Sequence, residues 1–178
     1  VSFNVSDQEV QAVVVTAPRR EQPIQDLALS VTAFGADDLT AAQITENSDL
    51  ASYMPGFSYA NAIGSGSGAG IRGTAGAAIG AGTTNSVQTA VNGHAVNGSA
   101  FGEIGFLDVD RVEVLAGPQG TLYGRNAVAG LINLVSARPT AEAGGYANFE
   151  MGNYGSERMS TAINLPFGDN VRTRLAYS

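Results

Sequence analysis

One stretch of the sequence, residues 108–136, constrains the fold more than any other. It reads DVDRVEVLAGPQGTLYGRNAVAGLINLVS, in which two runs of β-branched and aliphatic residues flank a glycine-rich segment. Gly117 and Pro118 end the first run, because proline lacks the N–H that a strand ladder needs and glycine tolerates a positive φ. Residues 121–123 have room for one helical turn, and residues 131–135 resume an apolar strand. The stretch therefore predicts strand, turn, short helix, turn and strand.

The composition argues against several classes of function. The chain of 178 residues has a formal net charge of -7 and no lysine, so it lacks the clustered positive charge of a nucleic-acid-binding surface. It has no cysteine, which excludes disulfides and thiolate metal sites. One histidine and scattered acidic residues do not make a metal-ligand cluster. The sequence also has no apolar run of about 18 residues, so we expect no transmembrane helix.

Signatures of enzymes are weak. Gly117, Gly120 and Gly124 are spaced like a phosphate-binding loop, but the GK[ST] ending is missing. The serines at 65 and 67 lie in a glycine repeat, not in the strand-to-helix elbow of a hydrolase. We therefore expect no catalytic residues, no cofactor and no resident metal.

Residues 111–135, RVEVLAGPQGTLYGRNAVAGLINLV, resemble the core signature of the plug domain of TonB-dependent outer-membrane receptors. Further segments match this family in the expected order: VVVTA at 13–17, SVTAF at 30–34, MPG at 54–56 and IRG at 71–73. The resemblance implies an α+β fold, in which a plug domain with a small mixed β-sheet and short helices precedes antiparallel strands of an incomplete transmembrane β-barrel. Ala116 departs from the family pattern, which usually has arginine there, so any plug-to-barrel ion pair of that arginine is absent.

The resemblance divides the chain into a flexible N-terminal segment (1–22), a plug domain (23–140) and the first, truncated barrel strands (141–178). We interpret the chain as a fragment or a processed product. The N-terminal segment would carry a TonB box, an extended stretch that pairs edge to edge with TonB of the inner-membrane energy-coupling complex. Its residues would be Val13, Val14, Val15, Thr16 and Ala17. The alternative for this pentapeptide is the first strand of a globular sheet.

The plug region predicts short elements separated by loops. The expected strands are 27–34, 57–60, 87–91 and 94–96, the last two joined by a tight turn at Asn92 and Gly93. Helices are expected at 39–44 and, capped by Thr45, around Leu50, Tyr53 and Met54. The expected loops are 61–70, 74–86 and 97–102, and the first of these could alternatively link two domains.

Two groups of plug residues are candidates for function. Arg72, Arg111, Glu113 and Arg125 are expected to contact the barrel wall, although Glu113 could instead pair with Arg111 or a neighbouring strand. The resemblance further implies loops that face the substrate, and their hydrogen-bonding residues are Ser65, Ser67, Asn85, His94, Asn97 and Ser99. Neither the acids that suit a cationic ligand nor the arginines that suit an anionic one are visible in these loops.

After Ser136 the sequence alternates strictly between apolar and polar residues. Three runs, around 146–151, 158–165 and 171–177, are separated by turns at 152–156 and 166–170. Strands of about ten residues with one apolar face are what an outer-membrane barrel needs. A half-buried sheet of a soluble protein is the alternative.

The function that the resemblance implies is gating of energy-coupled uptake in the outer membrane, with the N-terminus in the periplasm. The imported ligand would be a scarce small molecule such as a ferric siderophore, cobalamin or a glycan. A TonB-linked signalling receptor and a soluble α+β ligand-binding module are the alternatives.

Overall fold

The computed structural model describes residues 14–15, 22–23, 30–62, 66–74, 85–96, 105–124, 126–168 and 170–178. Its strands there are β1 (Val14–Val15), β2 (Gln22–Pro23), β3 (Ser30–Gly35), β4 (Phe57–Ala62), β5 (Gly66–Ile71), β6 (Val87–Val91), β7 (His94–Val96), β8 (Val109–Ala116), β9 (Gly130–Ser136), β10 (Gly144–Met151), β11 (Glu157–Phe167) and β12 (Val171–Tyr177). The helices are α1 (Ala36–Ala41) and α2 (Gly120–Tyr123), with 3₁₀ turns at Asp49–Ser52 and Asn153–Gly155. Within these ranges, no helix is long and apolar enough to cross a membrane.

A five-stranded mixed sheet forms the centre of the fold. Its order is β3-β8-β9-β6-β7, with β6 and β9 parallel and the other neighbours antiparallel. Val112, Val114 and Ile132 point to one face and pack with Leu39 and Leu50, among others. On the opposite face, Leu115 and Leu131 pack with Tyr123 of α2, Ala90 and Ala127. Both faces of the central strands are therefore covered. The strand, short helix and strand predicted for residues 108–136 are present as β8, α2 and β9.

The glycine-serine repeat is a strand and not the loop that its composition predicts. β5 pairs antiparallel with β4 from Phe57↔Ile71 to Ala62↔Gly66, so the prediction of a surface loop at 61–70 is wrong wherever these residues are described. Gly68, Ala69 and Gly70 are buried. Small side chains here allow β5 to lie close to the core, where Ala69 joins the apolar cluster.

The helical elements are shifted from their predicted positions. α1 begins at Ala36, where the carboxylate of Asp38 accepts a hydrogen bond from the Gly35 amide at 3.1 Å. Thr45 is a donor and not the cap acceptor expected of it, because its amide and hydroxyl donate to the carboxylate of Asp49 at 2.8 and 3.2 Å. The predicted second helix is only the single 3₁₀ turn that follows.

The Asn92–Gly93 turn is confirmed. Both residues have positive φ, 50° and 78°, as a two-residue hairpin turn between β6 and β7 requires. β3 confirms the strand predicted for residues 27–34 over its described part, and residues 27–29 lie outside the described ranges. Residues 75–84 of the loop predicted at 74–86, and the whole loop predicted at 97–102, also lie outside them.

β10, β11 and β12 form a separate three-stranded antiparallel sheet in sequence order. The register pairs Phe149 with Met159, Ile163 with Leu175, and Phe167 with Val171. The three alternating runs and the turn at 152–156 are therefore confirmed. The turn predicted at 166–170 is shorter than expected, because Pro166 and Phe167 still belong to β11 and pair with Arg172 and Val171.

Candidate functional site

The three-stranded sheet has one apolar and one polar face. The apolar side chains on one face are exposed: Phe149, Met151, Met159, Ile163, Leu165, Phe167, Val171, Leu175 and Tyr177. The other face carries Ala162 and Asn164, which are buried, and Arg174, whose side chain is only 17% exposed. Because successive residues of a strand point to opposite faces, the polar face is the one that packs on the rest of the chain.

Asp108 joins the two sheets. Its carboxylate accepts two hydrogen bonds from Arg174, from Nε to Oδ2 and from Nη2 to Oδ1, both at 2.6 Å. The hydroxyl of Tyr146 donates to Oδ1 at 3.4 Å. The backbone oxygen of Asp108 accepts from the Ala137 amide at 2.8 Å. One residue thus connects β8 and the end of β9 to strands β10 and β12.

The local backbone explains why Asp108 points toward the three-stranded sheet. Asp108 has a φ of 50°, a left-handed conformation that aspartate tolerates better than most residues. The β8–β9 register shifts next to it, between Val109 and Arg111, and such irregularities redirect a side chain. Its side chain is 11% exposed, so the paired charges are largely shielded from water.

Asn164 holds the connection between the two sheets. Its amide nitrogen donates to the backbone oxygen of Thr140 at 3.1 Å and to the Thr140 hydroxyl at 2.7 Å, and it also contacts the backbone oxygen of Glu142. Its amide oxygen accepts from the Thr140 amide at 3.0 Å. A side chain of β11 therefore fixes the segment that leads from β9 into β10.

A buried polar network lies within the five-stranded sheet. Glu113 is fully buried and accepts from Arg111 Nε at 2.9 Å and from Asn133 Nδ2 at 3.1 Å. The Asn133 oxygen accepts from the Gly93 amide at 2.9 Å. Arg111 also pairs with Asp110 at 2.7 Å. The network joins β8 and β9 to the β6–β7 turn.

The residues predicted to contact the barrel wall occupy different environments. Arg72 is exposed, with a φ of 55°, in the turn after β5. Arg111 and Glu113 pair with each other, which is the alternative role given for Glu113 from the sequence. Glu113 has no exposed surface, because it lies on β8, an inner strand of the five-stranded sheet. Arg125 lies outside the described residues.

The residues predicted to face substrate are only partly described. Asn85, partly buried, precedes β6, whereas His94 is exposed at the start of β7, with Nδ1 3.1 Å from the Asn92 oxygen. β6 separates the two by about 20 Å at the rise of a strand, so the structure does not bring them together. Ser67 belongs to β5, and Ser65, Asn97 and Ser99 lie outside the described residues.

The predicted TonB box overlaps a short strand pair. Val14 and Val15 pair antiparallel with Pro23 and Gln22, respectively. Val13, Thr16 and Ala17 lie outside the described residues. Val14 and Val15 have extended backbone, the conformation in which a strand is added to a partner sheet.

Sequence reasoning missed Asp108, Arg174 and Asn164. The alternation of residues 171–177 does place Arg174 on the polar face, and this was the available signal. Its partner lies 66 residues earlier in the chain, however, and no local pattern indicates a contact at that separation.

Comparison with known proteins assigns the family. The sequence model of the TonB-dependent Receptor Plug Domain matches residues 23–131. The vitamin B12 transporter BtuB of Vibrio vulnificus (strain CMCP6) is 30% identical over 178 residues, covering 95% of this chain and 28% of the relative. The catecholate siderophore receptor Fiu of Escherichia coli (strain K12) is 29% identical over 161 residues, covering 89% of this chain and 20% of the relative.

A solved structure supports the same assignment. The crystal structure of the ferric yersiniabactin uptake receptor FyuA from Yersinia pestis superposes with a TM-score of 0.71 at 29% identity, covering 83% of this chain and 24% of that one. The chain thus spans about a quarter of the length of these relatives, which are transporters and receptors and not enzymes. Because the family match covers more than half of the sequence, the chain belongs to the TonB-dependent receptor plug domain family.

Proposed function

We propose that this chain is the plug and first barrel strands of a TonB-dependent outer-membrane transporter, which gates energy-coupled uptake of a scarce small molecule. The polar face of the three-stranded sheet faces the lumen of the barrel, and the apolar face contacts outer-membrane lipid. The N-terminal segment extends into the periplasm and pairs with TonB, while the ligand arrives from the extracellular side.

The observation that carries the proposal is the contrast between the two faces of the three-stranded sheet. Its polar face is bonded to the plug through Asp108 and Arg174, whereas nine large apolar side chains on the other face are exposed. Soluble monomers rarely expose a contiguous apolar surface of this kind. An outward apolar band is the arrangement expected of strands in a lipid-facing barrel, so this contrast disfavours the soluble binding module.

Relatives of this chain support a class of ligand. Among them are proteins named for vitamin B12, catecholate siderophores and ferric yersiniabactin. We therefore propose a cobalamin or a ferric siderophore as ligand, with a glycan as the further candidate that the family resemblance implies.

Deletion of residues 13–17 tests the proposal. The full-length protein, in cells that lack their own transporters for the probes, would be assayed for uptake of cyanocobalamin and of a ferric catecholate. We expect the deletion to abolish uptake of the transported probe, because the strand that pairs with TonB is gone, and to leave binding at the cell surface intact.

Deletion of residues 4–8 is the matched control, since it shortens the N-terminal segment by the same length without touching the proposed TonB box. Uptake should persist in this control. Full uptake after deletion of residues 13–17 would refute TonB coupling through this segment.

A further inference from the structure

The contacts of Asp108 lie at one end of the five-stranded sheet. Asp108 immediately precedes β8, and its backbone oxygen holds Ala137 at the end of β9. Tyr146 and Arg174 reach the same carboxylate from the three-stranded sheet. We call Asp108, Tyr146 and Arg174 the Asp108 anchor. Thr140, held by Asn164, follows the same end of β9, so this attachment lies at the same end of the sheet as the Asp108 anchor.

The start of β3 lies at the other end of the same sheet. β3 runs antiparallel to β8, with Ser30 opposite Ala116 and Gly35 opposite Arg111. The first residue of β3 is therefore next to the end of β8 that is remote from Asp108. A force on the chain before β3 is therefore applied to the sheet at the end that is remote from Asp108.

We propose that the Asp108 anchor is the point at which the plug resists force applied to its N-terminal segment. Asp108 and Arg174 act as positioning residues that hold the five-stranded sheet against the barrel strands while the chain before β3 is pulled. The inference rests on the proposed function, in which TonB supplies the pull.

The register determines how the load is distributed. A pull at Ser30 and a restraint at Asp108 act along β3 and β8 in opposite directions, so all six register pairs between the strands carry the load together. The β1–β2 pair is loaded differently. The first residue of β1, Val14, pairs with the last residue of β2, Pro23. A pull on the N-terminus therefore separates the two register pairs one after the other. We therefore expect β1–β2 to open first and the β3–β8 pair to hold.

The chemistry of the anchor suits a restraint. A bidentate arginine–carboxylate pair combines charge with two parallel hydrogen bonds and is among the stronger polar contacts in proteins. Both side chains are largely shielded, at 17% and 11% exposure, so salt screens the pair less than it would an exposed one. The anchor thereby adds a non-covalent restraint at the end of the five-stranded sheet where the chain leads from β9 into β10.

Single-molecule pulling on the full-length protein in a lipid bilayer tests the inference. A handle on the N-terminus would apply constant force, and the lifetime of the state that follows β1–β2 opening would be measured. We expect D108N and R174Q each to shorten that lifetime at least about tenfold, the loss expected for one charge-assisted contact. Asparagine keeps the left-handed backbone at position 108 accessible. R174Q removes the same contact from the other strand, so the test does not depend on one variant folding.

D110N is the matched control. Asp110 is also a β8 carboxylate, but its side chain is 53% exposed and pairs with Arg111, so its loss should leave the lifetime unchanged. The lifetime of the double variant D108N/R174Q should equal that of each single variant, because all three variants lose the same Asp108–Arg174 contact. The inference would be overturned if D108N and R174Q kept the wild-type lifetime. It would also be overturned if D110N shortened the lifetime as much as they do, or if the double variant shortened it by the product of the two single effects. The assay contains neither TonB nor ligand, so its outcome is independent of the uptake test.

Discussion

The carboxylate of Glu113 has no accessible surface, although it lies in a sheet whose other buried side chains are mostly apolar. A buried charge is tolerated when a partner charge and hydrogen bonds replace water. Arg111 supplies the charge and Asn133 supplies the second donor. Since Asn133 also accepts from Gly93, this one amide satisfies groups on two neighbouring elements.

Asn133→Ala should therefore destabilise the plug. It removes the hydrogen bonds that Asn133 makes with the fully buried Glu113 and with the partly buried amide of Gly93, which costs about 2–4 kcal/mol. Hydrogen exchange of the full-length protein would show lost protection in the peptide that contains Gly93. Asn170→Ala, at an exposed turn position, is the control and should leave exchange unchanged. Unaltered protection at Gly93 in Asn133→Ala would contradict the role given to the network.

At the scale of elements, the close contact between β8, β9 and β5 depends on Gly130. A Cβ at this position would overlap the backbone oxygen of Leu115 and lie 2.6 Å from Ile71 Cδ1. β9 therefore begins with the one residue type that lets the three strands approach this closely.

Gly130→Ala should lower the free energy of unfolding of the plug by about 1–3 kcal/mol, the usual cost of overpacking a core. The midpoint of thermal denaturation should fall with it. Gly120→Ala is the matched comparison, because a Cβ there meets no atom within 4 Å and Gly120 begins a helical turn. We expect that substitution to be neutral or slightly stabilising. Thermal denaturation of both variants measures the difference, and equal midpoints would argue against the close approach.

The elements that the sequence predicted well are those determined by local chemistry. Asn92 and Gly93 specify their own turn, and the alternation of residues 171–177 specifies a two-faced strand. β5 was missed because pairing with β4, and not composition, makes its glycines a strand. Asp108 and Arg174 could not be paired from the sequence, since their contact depends on how two sheets pack. The resemblance supplied the family, but not this contact.

At the scale of the whole molecule, residues 144–178 have two features without a packing partner in the chain by itself. Strands β10 and β12 are the edges of their sheet, and the apolar face that they share is exposed. Open edges and apolar surface both promote association.

The chain 1–178 should therefore associate in buffer and become dispersed in detergent, as followed by size-exclusion chromatography with light scattering. A chain ending at residue 140 lacks the three-stranded sheet and is expected to associate less. A monomeric chain 1–178 at high concentration without detergent would argue against a lipid-facing role for this surface.

The way in which Asn164 holds the connection has a consequence for making chimeric receptors. Three of its four contacts involve the backbone of residues 140 and 142, so the side chains of this connection contribute little except the hydroxyl of Thr140. A plug from another receptor could be grafted at this junction with most of its own connecting sequence. The recipient barrel would need to retain an asparagine at the position of Asn164, because the junction's geometry is encoded in the strand and not in the segment that is exchanged.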